Sequence, residues 1–159
     1  MGVSGSGKST IGELLANASG ATFFDGDDFH PAENVEKMTS GIPLTDEDRA
    51  GWLLALRDLL DQHSPSPIII ACSALKAAYR ETLETSTQPL SFVYLKGSKK
   101  LLAERLTQRA AETNHFMPSS LLDSQLDTLE EPTAENTLTV SIEQSPEQIT
   151  DTILSSISS

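Results

Sequence analysis

The sequence predicts an α/β domain with a mainly parallel sheet, because strand-like and helix-like segments alternate along the chain. Short apolar runs at residues 68–72 and 92–95 have the length of buried strands, and apolar residues between them recur at helical spacing. The 159 residues are enough to bury a substantial core, and we predict a single domain over residues 1–159.

The elements of the first third can be placed in order. The apolar face of residues 11–18 predicts a helix that Gly20 ends. Residues 21–24 predict a short strand that ends at Asp25. Residues 29–43 follow neither period and are predicted to form a long loop, which in a compact domain is usually functional or disordered.

A capped helix and a buried strand are predicted for the middle of the chain. Thr45 precedes three acidic residues, as at a helix start, and the apolar stripe from Trp52 to Leu60 supplies its buried face. The Ser-Pro-Ser-Pro run at 64–67 ends this helix. The continuous apolar run of residues 68–72 predicts a strand covered on both faces.

The second half continues the alternation. It predicts, in chain order, a helix over residues 77–83, a strand over 92–95, a helix from its cap Ser98 to about Arg109, a half-exposed edge strand over 138–142 and a closing helix from Pro146. Residues 110–118 are predicted to form a second long loop.

Charge and composition exclude several classes of protein. The chain has 11 Lys and Arg against 23 Asp and Glu, and a net charge of −12 argues against non-specific binding to nucleic acid or anionic membranes. No stretch approaches the ~20 apolar residues of a membrane span, and no secretory signal is recognisable. The single cysteine, Cys72, cannot form an internal disulfide, so we expect a cytoplasmic protein.

Residues 2–9 match the phosphate-loop pattern G-x-x-x-x-G-K-[ST] at every fixed position. The glycines let the backbone point its N–H groups at phosphate oxygens, Lys8 reaches the β- and γ-phosphates, and the Ser9 hydroxyl binds Mg²⁺. The predicted nucleotide-binding residues of this loop are Gly2, Val3, Ser4, Gly5, Ser6, Gly7, Lys8, Ser9 and Thr10. The helix that follows adds the partial positive charge of its N-terminus.

The phosphate loop should extend from the end of a buried strand, yet only Met1 precedes Gly2. We therefore expect a sheet that lacks its first central strand, and we hypothesise that the native start lies upstream of Met1. The intact mass of the natively expressed protein tests this hypothesis, and a mass equal to that of the 159-residue chain would contradict it.

Asp25 and Asp27 lie at the end of the short strand predicted over residues 21–24. In parallel sheets, ligands bind outside the carboxyl ends of the strands, so these carboxylates are in place for a site. Phosphoryl transfer needs Mg²⁺ at the phosphates and a carboxylate for the acceptor's hydroxyl proton. Two carboxylates at i and i+2 can divide these two tasks.

Several stretches together make the chain resemble the small phosphate-loop gluconokinases, which are related in fold to shikimate and adenylate kinases. They are GVSGSGKST (2–10), DGDDFHPAENVEKMTSGIPLTDEDRAGWL (25–53), ACSALKAAYRETL (71–83), HFMPSSLLDSQLDTLEEP (115–132) and the final strand and helix. The resemblance implies a three-layer kinase fold, with a parallel sheet flanked by helices. It also implies transfer of the γ-phosphoryl group of ATP to the 6-hydroxyl of D-gluconate, with Mg²⁺, in a homodimer.

The resemblance also implies roles for particular residues. It gives Asp27 as the base and Asp25 with Ser9 as metal ligands, although the two aspartates could be exchanged. The implied catalytic residues are Lys8, Asp27 and Arg105, and the implied gluconate contacts are Asp27, His30, Arg49, Lys76, Arg80 and Gln125. The substrate-binding segment covers about 26–53, and a lid covers about 105–120, from which Arg105 and Arg109 contact ATP.

Two other functions explain part of the sequence. Another small-molecule kinase of the same fold, such as a shikimate kinase, explains the phosphate loop and the paired aspartates but not the resemblance over residues 30–53. A catalytically idle ATP-binding module agrees with the missing strand but not with the retained aspartates and cations. The chain departs from the family at residues 110–114, an insertion before His115 that alters the expected geometry of the lid.

Overall fold

The computed structural model describes residues 1–113 and 119–158, and this part of the chain contains seven helices and four strands. In chain order they are α1 (Lys8–Ser19), β1 (Thr22–Asp25), α2 (Ala32–Thr39), α3 (Asp46–Gln62), β2 (Ile68–Ala71), α4 (Ala77–Glu84), β3 (Phe92–Lys96), α5 (Lys99–Thr113), α6 (Ser119–Thr128), β4 (Thr137–Ser141) and α7 (Pro146–Ile157). A single 3₁₀ turn, Gly26–Phe29, follows β1.

All four strands pair in parallel, as the alternation of strands and helices predicts. β1 pairs with β2, with Thr22 opposite Ile68, and β3 pairs with β4, with Phe92 opposite Thr137. Helix α1 packs against α7 and the β1–β2 pair, whereas α3 packs against α4. Helices flank these two parallel strand pairs, in agreement with the kinase fold that the resemblance implies.

A gap separates β2 from β3. Met1 lies at its end: the Met1 amino group donates to the Val93 carbonyl at 2.6 Å, and the Leu95 N–H donates to the Met1 carbonyl at 3.0 Å. On the other side, the Gly2 N–H donates to the Ser73 carbonyl at 3.2 Å. Behind these contacts is a cavity of about 840 Å³ between the two strand pairs. The described residues place no strand there, in agreement with the sheet expected to lack its first central strand.

Two apolar clusters make the core. One joins α1, α5 and α7 to the β3–β4 pair through residues such as Ile11, Leu102 and Ile153. The other joins α3 and α4 around Trp52 and Leu56. No helix in the described ranges is long and apolar enough to cross a membrane.

Local signals explain several of the helix ends. Thr45 caps α3 and forms a capping box with Asp48, and Ser145 does the same for α7 with Gln148. Gly20 ends α1 in the left-handed conformation, at φ 77°. The predicted cap Ser98 accepts a hydrogen bond from the Leu101 N–H at 3.2 Å.

Four expectations about elements were wrong in part. The predicted loop 29–43 contains α2, a short and mostly exposed helix. Strand β2 ends at Ala71 and its isoleucines are only half-buried, because one edge faces the gap. Helix α5 continues past Arg109 to Thr113, so only residues 114–118 of the second predicted loop lie outside the described helices, and these residues are not described.

Candidate active site

The phosphate loop wraps tightly between Met1 and helix α1. Gly5 and Gly7 adopt φ angles of 85° and 92°, which favour glycine. A Cβ atom on Gly5 would lie 3.1 Å from Leu106 Cγ and 3.2 Å from the Leu102 carbonyl, so the loop packs closely against α5. Gly7 stands at the N-cap of α1 and offers no capping side chain, which leaves the first amide groups of the helix for a ligand.

The side chain of Lys8 folds back over this loop. Its Nζ donates to the Val3 carbonyl at 3.1 Å. Burial lowers the pKa of Lys8, while the charges of Asp27 and Asp25 act in the opposite direction. The lysine therefore lies between the loop and the two aspartates, with one hydrogen bond to the protein that an incoming phosphate oxygen can replace.

Ser9, Asp25 and Asp27 form a connected group beside the loop. The Ser9 hydroxyl donates to Asp25 Oδ2 at 3.1 Å, and the Asp27 N–H donates to Asp25 Oδ1 at 3.0 Å. The side chain of Asp27 is 79% exposed. Although water reaches it, desolvation by the surrounding protein and the charge of Asp25 both raise the pKa of Asp27. Asp25 is thus bound to two protein donors, whereas Asp27 points outward and is available to a substrate.

His30 continues the site from Asp27. Its Nε2 lies 3.9 Å from Asp27 Oδ1, and its ring stacks on Trp52 with 4.2 Å between centroids. The Trp52 Nε1–H donates to the Gly26 carbonyl at 2.7 Å, and Asn34 Nδ2 lies 3.2 Å from His30 Nδ1. Burial lowers the pKa of His30, and the charge of Arg49 lowers it further. Trp52 therefore supports both the turn that carries Asp27 and the histidine next to it.

A group of four side chains, which we call the cationic cluster, lies beyond His30. Its members are Arg49, Lys76, Tyr79 and Asp46. Lys76 Nζ donates to both carboxylate oxygens of Asp46, at 2.9 and 3.1 Å, and the Tyr79 hydroxyl donates to Asp46 Oδ1. Arg49 Nη1 donates to the Tyr79 hydroxyl at 3.1 Å. Two predicted acid-binding cations are thus linked through one tyrosine and one carboxylate.

The structure gives Arg80 contacts with the protein backbone. Its Nη1 donates to the Ala74 and Leu75 carbonyls at 2.8 and 3.2 Å, and its Nη2 donates to the Glu130 carbonyl at 2.8 Å. Ala74 has a φ of 45°, which is costly for a residue with a Cβ atom. Arg80 therefore supports the strained turn that leads to Lys76. These contacts do not favour the predicted contact of Arg80 with gluconate.

Gln125, Arg105 and Arg109 also have defined surroundings. Gln125 Oε1 accepts from the Ser4 N–H at 2.7 Å, so α6 contacts the phosphate loop through this side chain. Arg105 Nη2 donates to the Ile142 carbonyl at 2.6 Å, whereas Arg109 is exposed and its charge lowers the pKa of Lys8. The predicted gluconate contact of Gln125 and the predicted nucleotide contacts of both arginines stay predictions.

Some site residues were missed by sequence reasoning, and part of the lid is not described. Tyr79 and Asp46 were not predicted, although a tyrosine at a buried helix position signals a hydroxyl that needs a partner. Trp52 was expected in the core and is there, but its contact with His30 was not predicted. His115 and the last residue of the insertion before it lie outside the described residues, whereas residues 110–113 form the end of α5.

The donors beside the phosphate loop suit magnesium held mainly by phosphates. The described residues contain no group of three or more His, Cys, Asp or Glu side chains that could hold a metal ion. Ser9 and Asp25 offer two oxygen ligands 3.1 Å apart. Mg²⁺ usually takes one or two protein oxygens together with substrate phosphates and water, so this pair fits it.

The fold and the site together define a class, the phosphate-loop kinases of small molecules. The sequence matches the shikimate kinase family over residues 4–158, and the chain belongs to that family. The APS kinase CysC of Mycobacterium tuberculosis is similar in fold alone. Its structure matches with a TM-score of 0.72 at 17% identity, over 100% of this chain and 95% of that one.

Nearer relatives place the chain more closely. It is 43% identical to the probable gluconokinase of Mus musculus over 99% of this chain and 95% of that protein, and 42% identical to the gluconokinase of Arabidopsis thaliana over 97% and 88%. A gluconokinase from Sinorhizobium meliloti 1021 matches in structure with a TM-score of 0.88 at 49% identity, over 98% of this chain and 87% of that one. The chain is a member of the gluconokinase family.

Proposed function

We propose that this protein transfers the γ-phosphoryl group of ATP to the 6-hydroxyl of D-gluconate, giving 6-phosphogluconate and ADP. The observation that carries the proposal is a continuous series of contacts and charges from Lys8 through Asp27 and His30 to Arg49 and Lys76. Gluconate is a linear polyol with a carboxylate at one end and the reacting hydroxyl at the other. The series offers a base at one end and cations at the other.

The residues near the phosphate loop divide the chemistry. Lys8 and the α1 N-terminus hold the β- and γ-phosphates, and Ser9 with Asp25 would hold Mg²⁺, which neutralises phosphate charge when bound. Asp27 accepts the proton of the 6-hydroxyl while the oxygen forms a bond to the γ-phosphorus and the bond from that phosphorus to the ADP oxygen breaks. The raised pKa of Asp27 makes it a stronger base than an ordinary aspartate.

The cationic cluster recognises the acid end of the acceptor. Arg49 and Lys76 supply charge-assisted hydrogen bonds to the gluconate carboxylate, and an arginine can hold a carboxylate through two bonds. His30 lies next to Asp27 with its side chain only 4% exposed, and its predicted contact with gluconate stays a prediction. The cytoplasmic location and the homodimer expected from the sequence stay predictions, as do the contacts of Arg105 and Arg109 with ATP.

A panel of acceptors tests the proposed reaction. Purified protein with ATP and Mg²⁺ should release ADP when gluconate is added, and not when shikimate or a nucleoside monophosphate is added. Stimulation by another acceptor with none by gluconate would contradict the proposal. The relatives do not favour these alternatives, since several of them at 42–48% identity carry the gluconokinase name.

A pair of neighbouring variants tests the base. Asp27→Ala should lower turnover by about 10²–10⁴-fold, the usual contribution of a general base, while ATP binding changes little. Asp28→Ala removes the adjacent exposed carboxylate and serves as the matched control, with turnover near that of the unaltered protein. Equal losses in the two variants, or none in Asp27→Ala, would remove Asp27 from this role.

A further inference from the structure

The cationic cluster already holds a carboxylate, and it is the protein's own. Asp46 accepts three hydrogen bonds, two from Lys76 Nζ and one from the Tyr79 hydroxyl. Arg49 is linked to the same tyrosine, and its charge adds to the fields that lower the pKa of Asp46. The cations that suit an acidic acceptor are therefore engaged by Asp46 in the protein alone.

The structure of α3 does not require Asp46 for its start. The N-cap of this helix is Thr45, and the reciprocal partner in the capping box is Asp48. Asp46 takes no part in either bond, and its side chain is 64% exposed. Its three hydrogen bonds all go to side chains of residues 76 and 79, on and just before α4.

The geometry at Asp46 resembles that of a bound carboxylate ligand. A lysine contacts both oxygens, a tyrosine hydroxyl donates to one, and an arginine lies behind the tyrosine, with its Cζ 5.5 Å from the ring centroid. An acceptor carboxylate needs the same donors, and two carboxylates at one lysine repel each other. The Tyr79 hydroxyl has one hydrogen to donate, so it cannot bind both carboxylates at once.

We propose that Asp46 is an internal competitor of the acceptor's carboxylate, which it must yield to when the acceptor binds. This inference rests on the proposed function, because it takes the acceptor to be a sugar acid. Binding then exchanges one carboxylate for another at Lys76 and the Tyr79 hydroxyl. The exposed side chain of Asp46 can turn toward water without disturbing the core.

The exchange affects acids and neutral polyols differently. A neutral polyol cannot replace Asp46 at Lys76, so it gains no contact with the cations and leaves the internal pair intact. A sugar acid forms new hydrogen bonds with Lys76 and the Tyr79 hydroxyl in place of those that Asp46 gives up. Asp46 therefore lowers the affinity for acids modestly, and removing it should strengthen acid binding without helping neutral molecules.

Steady-state kinetics on Asp46→Asn test this inference, with Glu47→Gln as the matched control. Glu47 is the next residue, exposed, in the same helix turn, so the control removes the same charge at the same helix end. Asp46→Asn should lower the KM for gluconate about twofold to fivefold with kcat little changed, the size expected for relief of one exposed charge pair. Glu47→Gln should leave the KM for gluconate near that of the unaltered protein.

Other outcomes distinguish competition from positioning. A higher KM for gluconate in Asp46→Asn would mean that Asp46 holds Lys76 in place for the substrate. An unchanged KM would mean that the two carboxylates do not compete. Either result would overturn the inference. Sorbitol, a neutral polyol, should inhibit the unaltered protein and Asp46→Asn equally weakly, and a parallel gain in sorbitol affinity would also overturn it. An unaltered protein that is inactive on gluconate would instead contradict the proposed function.

Discussion

The phosphate loop and the cationic cluster both act on the pair Asp27 and His30, through the charges of Lys8 and Arg49, yet the chain builds them differently. The phosphate loop is a contiguous segment shaped by its backbone, with glycines at φ 85° and 92° and a helix that begins at Lys8. The cationic cluster brings together Asp46 and Lys76, which are 30 positions apart. Its shape depends on the packing of α3 against α4.

The difference has a chemical counterpart. All nucleoside triphosphates carry the same triphosphate group, which a backbone loop can bind whatever the base and sugar are. An acceptor is recognised by its particular charges and hydroxyls, which need side chains from several elements. We therefore expect changes at the loop to affect turnover, and changes at the cationic cluster to affect the affinity and choice of acceptor.

The largest effect should come from the phosphate loop. Lys8→Ala removes the charge that faces the transferred phosphoryl group, and turnover should fall by about 10²–10³-fold, as when one preorganised donor to a transition state is lost. The KM for gluconate should change little, as measured by steady-state kinetics. Lys100→Ala, an exposed lysine of α5, is the control. If Lys8→Ala changed the KM for gluconate more than it changed kcat, the phosphate loop would also contribute to acceptor binding, which would contradict the expected division of roles.

The cationic cluster should give a smaller effect of the other kind. Lys76→Ala should raise the KM for gluconate about tenfold, as expected for the loss of one charge-assisted hydrogen bond, and leave the KM for ATP unchanged. Lys37→Ala is the matched control, because Lys37 is similarly exposed and is also paired with an α3 carboxylate, Asp48. Equal increases in the two variants would indicate a general effect of charge rather than a contact.

Sequence reasoning reached the phosphate loop and the paired aspartates because their signals are local. The spacing of residues within one short segment was enough to predict each of them. The capping residues Thr45 and Ser98 were predicted from local sequence as well. The short helix α2 was missed because it buries little: Val35 and Met38 are 45% and 42% exposed. With only Val35 and Met38 as large apolar residues, the segment offers too short an apolar stripe to predict a helix.

The cationic cluster could be predicted only in part, because its partners are set by tertiary packing. Arg80 lies four positions after Lys76, and both were predicted to bind substrate from their place in one motif. Packing directs the Arg80 guanidinium to the backbone carbonyls of the Ala74 turn, and leaves Lys76 half-exposed beside Asp46. The pairing of Lys76 with Asp46 has no local signal. An acidic residue in the first turn of a helix is already explained by its favourable interaction with the helix dipole, so Asp46 does not by itself indicate a distant partner.

Trp52 supports residues between the two ends, the turn that carries Asp27 and the ring of His30, and altering it should have a moderate effect. Trp52→Phe leaves the Gly26 carbonyl without its buried donor, which should lower the free energy of unfolding by about 1–3 kcal/mol. The His30 ring loses part of its stacking partner, so kcat/KM for gluconate should fall severalfold. Tyr94→Phe removes a polar group from another buried aromatic residue and should leave kcat/KM unchanged. Thermal unfolding and kinetics together check both effects, and unaltered kinetics in Trp52→Phe would confine Trp52 to the core.

The smallest effect should separate two roles for Gln125. Gln125→Ala removes the acceptor of the Ser4 N–H, and the KM for ATP should rise only about twofold to threefold, because water can take over a hydrogen bond in a half-buried position. If Gln125 instead contacts a hydroxyl of gluconate, the KM for gluconate rises and the KM for ATP does not. Ser124→Ala, at the adjacent exposed position, should change neither. A rise in the KM for ATP alone would extend the phosphate end of the site to α6, and a rise for gluconate alone would assign this part of α6 to the acceptor.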